Sequence, residues 1–539
     1  MSQFMCPNCG VTGTYGAHSY PSLPPNTLNS NNAMDLSGHM RSQYLKTIAG
    51  IETDISKLDD EMSRLQMVMD QLTAERQSLE GSLEEHRSIV APIQRIPLEV
   101  LSEIFIFCAD SPSSNSEPPL KCFDVTQAPI QLSFVCNKWR RLAISMSQLW
   151  SSISLRGGRE YVLSSGGRHT SYFRRSIRTD MLRTWLLRSG SSPLTLGIDA
   201  TWLEHDALTS CIAIMLPHSH RWRDVTLTLD EEHWEMLLAV KGNLPQLERF
   251  NLDVMGDPSE GFDIPLDIFE VAPKLHTIMM QYNLDPSEWL LPWGQLRCFH
   301  FNLHFAMSLP WILESCSNLA RCTIHIYSLD DALDDLDHSS LVSLHLLLHV
   351  KEHLDVLFNI FTLRALQDLD IARPLSTDFT LVLPQNAVAS MLDRSSCNLQ
   401  RLRLFWVGFT SDELVAILQA QPSLVELVIH EPTSPIVTKR VLERMTHDLS
   451  QSFSTGSPLV VPNLKRLELF AAFAFGDQVV LDLIQSRWRH GLTQVAGLES
   501  VKLGITRKVS SETIAQMALW RKEGLNLELQ TRGGAVQWS

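Results

Sequence analysis

The sequence lacks any run of about eighteen apolar residues, the length that a membrane-spanning helix needs. Its first residues, 1–10, are polar and lack the basic and apolar segments of a secretion signal. Lys and Arg number 45 against 60 Asp and Glu, and the resulting net charge of -15 disfavours general nucleic-acid binding. We therefore expect a cytoplasmic and/or nuclear protein that binds neither membrane nor nucleic acid.

Signatures of catalysis are also missing, including Gly-rich phosphate loops, nucleophile elbows and His-Glu-x-x-His motifs. Most of the ten cysteines sit in apolar patterns, which is typical of reduced, buried thiols. Cys6 and Cys9 supply half of a zinc knuckle, but tetrahedral zinc needs four ligands and no second Cys-x-x-Cys pair follows. His345 and His349 have helical metal-ligand spacing but fall on a predicted strand and its exit. We expect no enzyme, cofactor or bound metal.

Two segments precede the apolar part of the chain. Residues 1–40 are rich in Ser, Asn, Pro and Gly, and this composition predicts disorder. A heptad pattern then predicts a coiled-coil helix over residues 41–90. Its heptad positions run from residue 48 to residue 86, a distance of about 60 Å at the usual helical rise. Two interpretations stay open: self-association through residues 48–86, or one helix that folds back on the rest of the chain. Ten of the twelve seam positions are apolar: Ile48, Ile51, Ile55, Leu58, Met62, Leu65, Met69, Leu72, Leu79 and Leu83.

Two short amphipathic helices follow. The first begins around Pro97, because proline in the first turn of a helix loses no hydrogen bond, and its apolar residues follow helical spacing. The apolar stripe of the second consists of Leu132, Val135, Cys136, Trp139, Leu142 and Ala143. Residues 110–122 between them are rich in turn formers and predict an inserted loop. Neither helix can bury its stripe alone, so the two must pack together or against a partner.

These helices resemble an F-box, the module with which substrate receptors bind the Skp-type adaptor of cullin-RING ubiquitin ligases. The residues that match the family pattern are Ile96-Pro97-Leu98-Glu99, Val135-Cys136-Asn137-Lys138-Trp139-Arg140 and Leu149-Trp150. The resemblance implies an F-box-like domain over residues 91–156 that binds the adaptor and, through it, a cullin. Some of the implied adaptor contacts have to hold the core of the module instead, and an ordinary helical hairpin is the alternative. The implied contacts are Ile96, Pro97, Leu98, Val100, Leu101, Ile104, Val135 and Trp139.

Residues 157–190 are unusually rich in arginine for this acidic chain. Eight Arg and no Lys lie between Arg156 and Arg188, and only Glu160 and Asp180 oppose them. Such a segment is read either as a solvated linker and helix face or as a docking site for an acidic partner.

One motif recurs from residue 191 to 530: an aliphatic residue, two variable ones, an apolar, one variable and another apolar. Its copies begin at Leu247, Leu275, Leu296, Leu319, Leu341, Leu366, Leu399, Leu424, Leu464 and Leu498, with a less regular copy at Trp222. The pattern predicts a short strand at each copy and resembles leucine-rich repeats, which implies an irregular α/β solenoid followed by a tail at 531–539. An ordinary α/β domain is the alternative. Combined with a heptad helix and an F-box, degenerate repeats resemble the large F-box-like families of mushroom-forming fungi.

Side chains between the apolar motif positions would line one face of such a solenoid. Their arginines favour a partner that presents carboxylate or phosphate groups, although a merely solvated face of mixed charge is the alternative. The predicted target-binding residues are Arg249, His300, Arg321, His325, Arg401 and Arg403. The leading hypothesis is a non-catalytic substrate receptor of a cullin-RING ubiquitin ligase, and the rival is an interaction scaffold without any ligase.

Overall fold

A computed structural model describes most of the chain. The chain divides into two compact units, Met1–Pro97 and Leu98–Ser539. The described residues are 2–5, 12–15, 20, 38–90, 92–110, 128–156, 158–164, 167–173, 179–202, 205–254, 267–280, 286–304, 307–329, 333–374, 381–431, 436–446, 460–471, 473, 475–488, 496–531 and 534–535. The predicted inserted loop beyond Asp110, the two cysteines Cys6 and Cys9, and most of the predicted tail lie outside these residues.

The first unit is dominated by one long helix. Strands β1 (Ser2–Met5) and β2 (Thr12–Tyr15) pair antiparallel within the segment whose composition predicts disorder. Helix α1 (Gly38–Val90) includes all of the predicted coiled-coil segment, and a 3-10 turn follows at Pro92–Arg95. The helix ends two residues before Pro92, since proline disfavours helical backbone at the residue before it.

The second unit opens with three short helices, α2 (Leu98–Asp110), α3 (Ile130–Val135) and α4 (Asn137–Ser145), and a 3-10 turn at Ser147–Trp150. Together these four elements are called the helical module below. Trp150 is 1% exposed, and its indole Nε1 donates a hydrogen bond to the carbonyl oxygen of Ala143 at 2.7 Å. The core of the module consists of Leu101, Phe105, Leu132, Ala143, Leu149 and Trp150.

A sheet of fifteen strands occupies most of the second unit. Neighbouring strands are parallel except for the last pair, and they follow one another across the sheet in chain order. The strands are β3 (Ser152–Arg156), β6 (Leu194–Asp199), β7 (Trp222–Leu229), β8 (Arg249–Val254), β9 (Thr277–Met280), β10 (Cys298–Leu303), β11 (Arg321–Ile326), β13 (Ser343–Leu348), β15 (Asp368–Ala372), β17 (Arg401–Phe405), β19 (Glu426–His430), β20 (Arg466–Ala471), β21 (Ser500–Ile505), β22 (Asn526–Thr531) and β23 (Gly534–Ala535).

Within the described residues of the second unit, three smaller strand pairs lie outside that sheet. Strands β4 (Gly158–Ser164) and β5 (Gly167–Phe173) form an antiparallel hairpin inside the Arg-rich segment. Two short parallel pairs accompany the main sheet: β12 (Leu336–Asp337) with β14 (Phe361–Thr362), and β16 (Leu381–Val382) with β18 (Val407–Gly408).

Helices occupy many of the connections between strands, which confirms an α/β arrangement with a large parallel sheet. Helices α9 to α14 contact one another in chain order. Among the described residues, every helix is too short or too polar to span a lipid bilayer. The connecting helices are α5 (Thr179–Arg188), α6 (His205–Met215), α7 (Glu231–Glu235), α8 (Ser308–Ser315), α9 (Leu354–Ile360), α10 (Ala387–Ser395), α11 (Ser411–Ala420), α12 (Lys439–Met445), α13 (Asp477–Trp488) and α14 (Ser511–Lys522).

Each of the ten regular motif copies coincides with a parallel strand that begins two residues after the first leucine of the motif, and the less regular copy at Trp222 coincides with β7. The first leucine of every regular copy is at most 1% exposed. Along β13, buried and half-buried residues alternate, as strand geometry requires. The sheet also extends beyond the predicted repeat domain, because β3 pairs with β6 and brings Ser152–Arg156 into it.

Candidate functional site

Apolar residues on α2 divide into a buried and an exposed stripe. Leu101 and Phe105 are 1% and 0% exposed and belong to the core of the helical module. Val100, Ile104 and Phe107 are 50%, 39% and 77% exposed. The spacing of these three, i, i+4 and i+7, places them on one face of the helix. We call them the exposed stripe of α2.

Helix α3 carries a second exposed apolar site at its C-terminal end. Phe134 and Val135 are 63% and 58% exposed, while Leu132 of the same helix is 8% exposed and packs inward. Helices α2 and α3 both contact α4. Single exposed apolar residues are common on soluble proteins, but several large ones on one small module are typical of a protein-binding surface.

The structure divides the predicted adaptor contacts into exposed residues and residues that are wholly or partly buried. Leu98, Val100, Ile104 and Val135 are exposed, and Pro97 is exposed at the end of the first unit. Leu101 instead lies in the core of the module, and the half-buried Trp139 packs on Phe105 with ring centroids 4.9 Å apart. Ile96 is half-buried at the end of the first unit.

Sequence reasoning missed Phe107 and Phe134. The signal for Phe107 was present, since it lies three residues after Ile104 and continues the stripe. Phe134 carried no such signal, because the apolar spacing in a helix of six residues does not show which of its side chains the fold buries.

The second candidate surface is the face of the large sheet that carries the half-buried side chains, called the polar face below. Parallel in-register pairing aligns these side chains in rows that cross the strands. One row contains Arg249, Thr277, Cys298, Arg321, Ser343, Asp368, Arg401, Glu426 and Arg466. The next contains Asn251, Met279, His300, Thr323, His345, Asp370, Arg403, Val428 and Glu468.

Between β15 and β20 the polar face carries an ion-pair ladder. Arg401 pairs with Asp368 on the neighbouring strand. Arg403 lies 3.2 Å from Asp370 and 2.9 Å from Glu426, measured from its terminal nitrogens. Arg401 and Arg403, predicted to bind a target, therefore already have carboxylate partners within the chain. An external carboxylate would have to compete with them.

Glu426 is the centre of this ladder. Its other carboxylate oxygen accepts a hydrogen bond from Arg466 Nε at 2.8 Å. Although burial opposes ionisation, hydrogen bonds from Arg466 and Arg403 hold the pKa of Glu426 below its ordinary value. The carboxylate is therefore charged at neutral pH and binds the two arginines on either side of it.

Between β10 and β13 the polar face is built of imidazoles. One Nε2 of the pair His300 and His325 donates to the other at 3.0 Å. Tyr327 is stacked between His349 and His304, with ring centroids 3.9 Å and 4.4 Å away. We call His300, His304, His325, His345, His349 and Tyr327 the histidine cluster.

Burial keeps these imidazoles neutral. Desolvation, with a smaller contribution from neighbouring imidazoles, lowers the pKa of His300 and of His325 to about 4. Burial also lowers the pKa of His304, His345 and His349. At neutral pH the polar face therefore presents uncharged aromatic rings beside the ion-pair ladder, whose arginines and carboxylates neutralise one another.

The two remaining predicted target residues lie in the first row, outside the ion-pair ladder. Arg249 forms an ion pair with Asp224 of β7, and its side chain is 54% exposed. Arg321 is exposed at the start of β11, between Cys298 and Ser343 on the adjacent strands.

A groove of about 1380 Å³ lies between α5 and α6, away from the rows of the polar face. Arg183, His218 and Arg221 line it together with apolar side chains such as Leu187. Arg221 is already used inside the protein, because its guanidinium donates to the carbonyl oxygen of Ser192 at 2.9 Å. Burial, followed by the nearby Arg221 and His220, lowers the pKa of His218.

The chain matches no protein-family model and no curated protein.

Proposed function

We propose that this protein is a non-catalytic substrate receptor of a cullin-RING ubiquitin ligase. Its helical module binds the Skp-type adaptor, and the polar face of its sheet binds the target protein. The observation that carries this proposal is the exposed stripe of α2, where Val100, Ile104 and Phe107 offer apolar surface to solvent. A helical hairpin that served only as part of a larger core would cover these side chains.

An adaptor-binding helix needs one apolar stripe for its own module and another for the partner, and α2 has both. Leu101 and Phe105 use the buried stripe to hold the module together, so the exposed stripe is free for a partner. Val135, which belongs to the resemblance with F-boxes, is exposed as well. Burying large apolar side chains at an interface contributes roughly 1.5–3 kcal/mol for each that is fully covered.

The finer architecture we infer is an irregular leucine-rich-repeat solenoid. Two features support it: successive strands pair in chain order, and each regular copy places its first leucine in the core. Connections of unequal length and several short extra strands account for the irregularity. A rigid array of this kind would hold a target at a set distance from the adaptor, which makes ubiquitin transfer effectively intramolecular.

Self-association through α1 is part of the same proposal. Its seam residues remain open within the described chain: Ile55, Leu58, Leu65 and Leu72 are 52%, 50%, 43% and 57% exposed. A second copy of α1 would bury this seam along about six heptads. The resulting receptor would present two polar faces, which raises the effective concentration of a target that has two binding motifs.

The proposal is tested by binding of the full chain to purified Skp-type adaptor, measured by calorimetry or pull-down. Ile104→Asp should abolish binding, because it places a charge in the middle of the exposed stripe. Leu519→Asp is the matched control, since Leu519 is 52% exposed on α14, and it should bind like the unmodified chain.

Both variants should melt at the same temperature as the unmodified protein. No binding by the unmodified chain, or equal binding by the two variants, would overturn the receptor proposal in favour of a scaffold without a ligase.

A further inference from the structure

We propose that His205, Asp230 and His233 form a zinc site that links α6 to α7. One potential ligand atom of each residue lies within 4.8 Å of those of the other two. His205 opens α6, Asp230 directly follows β7, and His233 lies within α7. Three residues from two separate chain segments thus converge at one point.

The two imidazoles lie close together near that point, with their ring planes tilted against each other. Their ring centroids are 4.5 Å apart, with an angle of 55° between the ring planes. His233 is 1% exposed, so its ring orientation is set by the surrounding protein. Asp230 contacts His233 twice: its Oδ1 accepts a hydrogen bond from the His233 amide at 3.1 Å and also contacts the ring nitrogen Nδ1.

Thr209 contacts the other ring nitrogen of His233. Its hydroxyl lies 3.0 Å from His233 Nε2 and 3.0 Å from the carbonyl oxygen of His205. Nδ1 is therefore the ring nitrogen that faces the carboxylate of Asp230 and is placed to bind a metal ion.

Asp230 Oδ1 and His233 Nδ1 contact each other as a carboxylate acceptor and an N–H donor do. Zinc would displace the proton at Nδ1, because a ligating imidazole nitrogen must be deprotonated, and His205 brings a third donor atom to the same place. Two imidazole nitrogens and a carboxylate oxygen are a donor set typical of zinc. Three protein ligands leave the fourth tetrahedral position for water.

The outer side of the site is open and carries a further carboxylate. Glu232 Oε2 lies 3.4 Å from His205 Nε2, and the two side chains are 79% and 52% exposed. A carboxylate beside a metal-binding imidazole orients the ring and raises its basicity. Exposure on this side also gives a metal ion a route in from solvent.

Neither proposed protein-binding surface includes these residues, so the zinc site does not depend on the receptor proposal. The sequence alone does not reveal it, because His205 and His233 are separated by a whole strand and belong to no spaced metal motif. A zinc ion here would tie α6 to α7 and stabilise this region.

The test is zinc binding by the full chain, stripped with a chelator and titrated with zinc sulfate against a chromogenic zinc indicator. His205→Ala should lose one equivalent of zinc. His220→Ala is the matched control, because His220 is an exposed histidine fifteen residues after His205 and this variant should keep that equivalent. Equal zinc stoichiometry and affinity in the two variants would overturn the proposal.

A second variant separates metal binding from helix capping, because Asp230 also caps α7. Asp230→Ser keeps a capping oxygen but removes the carboxylate, so it should lose the same equivalent of zinc. With Co²⁺ as the probe, the unmodified protein should develop the visible absorption of a tetrahedral site, and His205→Ala should not. An absorption spectrum that is identical in both proteins would contradict the site.

Discussion

Arg487 of α13 donates its guanidinium Nε to the carbonyl oxygen of Met445, the last residue of α12, at 2.7 Å. Its terminal nitrogens donate to the carbonyl oxygens of Val460 and Val461 at 2.7 Å and 2.9 Å. The side chain is 0% exposed, and burial lowers its pKa to about 10, which still leaves it charged at neutral pH. One buried cation thus satisfies carbonyl groups at the end of α12 and in the segment that follows it.

A second arginine binds carbonyl oxygens in the same way elsewhere in the second unit. Arg394 of α10 donates to the carbonyl oxygens of Phe358 and Phe361, at the end of α9 and just after it, at 2.7 Å and 2.8 Å. In both cases an arginine of one helix binds carbonyl oxygens contributed by the preceding helix and by the segment that follows that helix. These contacts join neighbouring strand–helix units.

Replacing Arg487 by methionine should strongly destabilise the second unit. The buried carbonyl groups of Met445 and Val460 would lose this donor, while that of Val461 keeps the amide of Leu464. Each unsatisfied buried group costs about 1–3 kcal/mol. We expect the free energy of unfolding from urea titration to fall by about 3 kcal/mol or more. Arg440→Met is the control, because Arg440 forms only an exposed ion pair with Asp412, and its loss should cost less than about 1 kcal/mol. Equal losses in the two variants would contradict the structural role of Arg487.

Gly504 of β21 should not tolerate a side chain. A Cβ at this position would clash with the ring atom Cδ1 of Phe470 on the adjacent strand β20. The ring would have to shift within a row where it also contacts His430, so Gly504→Ala should cost about 1–3 kcal/mol of unfolding free energy.

Two further variants isolate the cause of that loss. The double variant Gly504→Ala with Phe470→Leu should cost less than the sum of the two single changes, because the smaller side chain makes room. Gly294→Ala is the control, since nothing lies within 4 Å of a Cβ there. Additive losses in the double variant would argue against the steric explanation.

The histidine cluster should make the protein less stable in acid. His300 and His325 have folded-state pKa values of about 4, against 6.5 for an unperturbed histidine. Between these values the unfolded chain binds more protons than the folded one, so the free energy of unfolding falls as pH drops from about 6.5 to about 4. Thermal melts should show a lower midpoint at pH 5 than at pH 7.

A histidine variant tests whether the histidine cluster causes this loss of stability in acid. His325→Gln removes one titrating ring, so the midpoint should change less between pH 7 and pH 5 than in the unmodified protein. His220→Gln alters an exposed ring outside the cluster and should leave the pH dependence unchanged. An unaltered slope in His325→Gln would place the acid sensitivity elsewhere.

Sedimentation of the full chain should reveal a dimer, since seam residues of α1 such as Leu65 and Leu72 are exposed in the part of the chain that the structure describes. Leu65→Asp with Leu72→Asp should yield a monomer, because two charges would enter the seam of each helix. Met67→Asp is the control: Met67 is 73% exposed but lies off the seam, so the dimer should persist. A monomer at high concentration for the unmodified chain would favour a helix that folds back.

The sequence by itself determined the eleven strands that carry the leucine motif, the helix α1 and the first turn of α2. The strands follow from a leucine motif whose alternation depends only on neighbouring residues, and α1 follows from a heptad that repeats within one segment. Pro97 likewise predicted where α2 starts, one residue before Leu98. Such features are local because periodicity and proline geometry act within a few residues.

The tertiary structure decided which side chains meet. Leu101 and Ile104 look alike in the sequence, yet packing against the rest of the module buries one and exposes the other. The pairing of Arg403 with Asp370 depends on the register of two strands more than thirty residues apart in the chain. The meeting of His205 with His233 depends on where two segments cross. Register and packing over such separations are set by the whole core, and no local pattern encodes them.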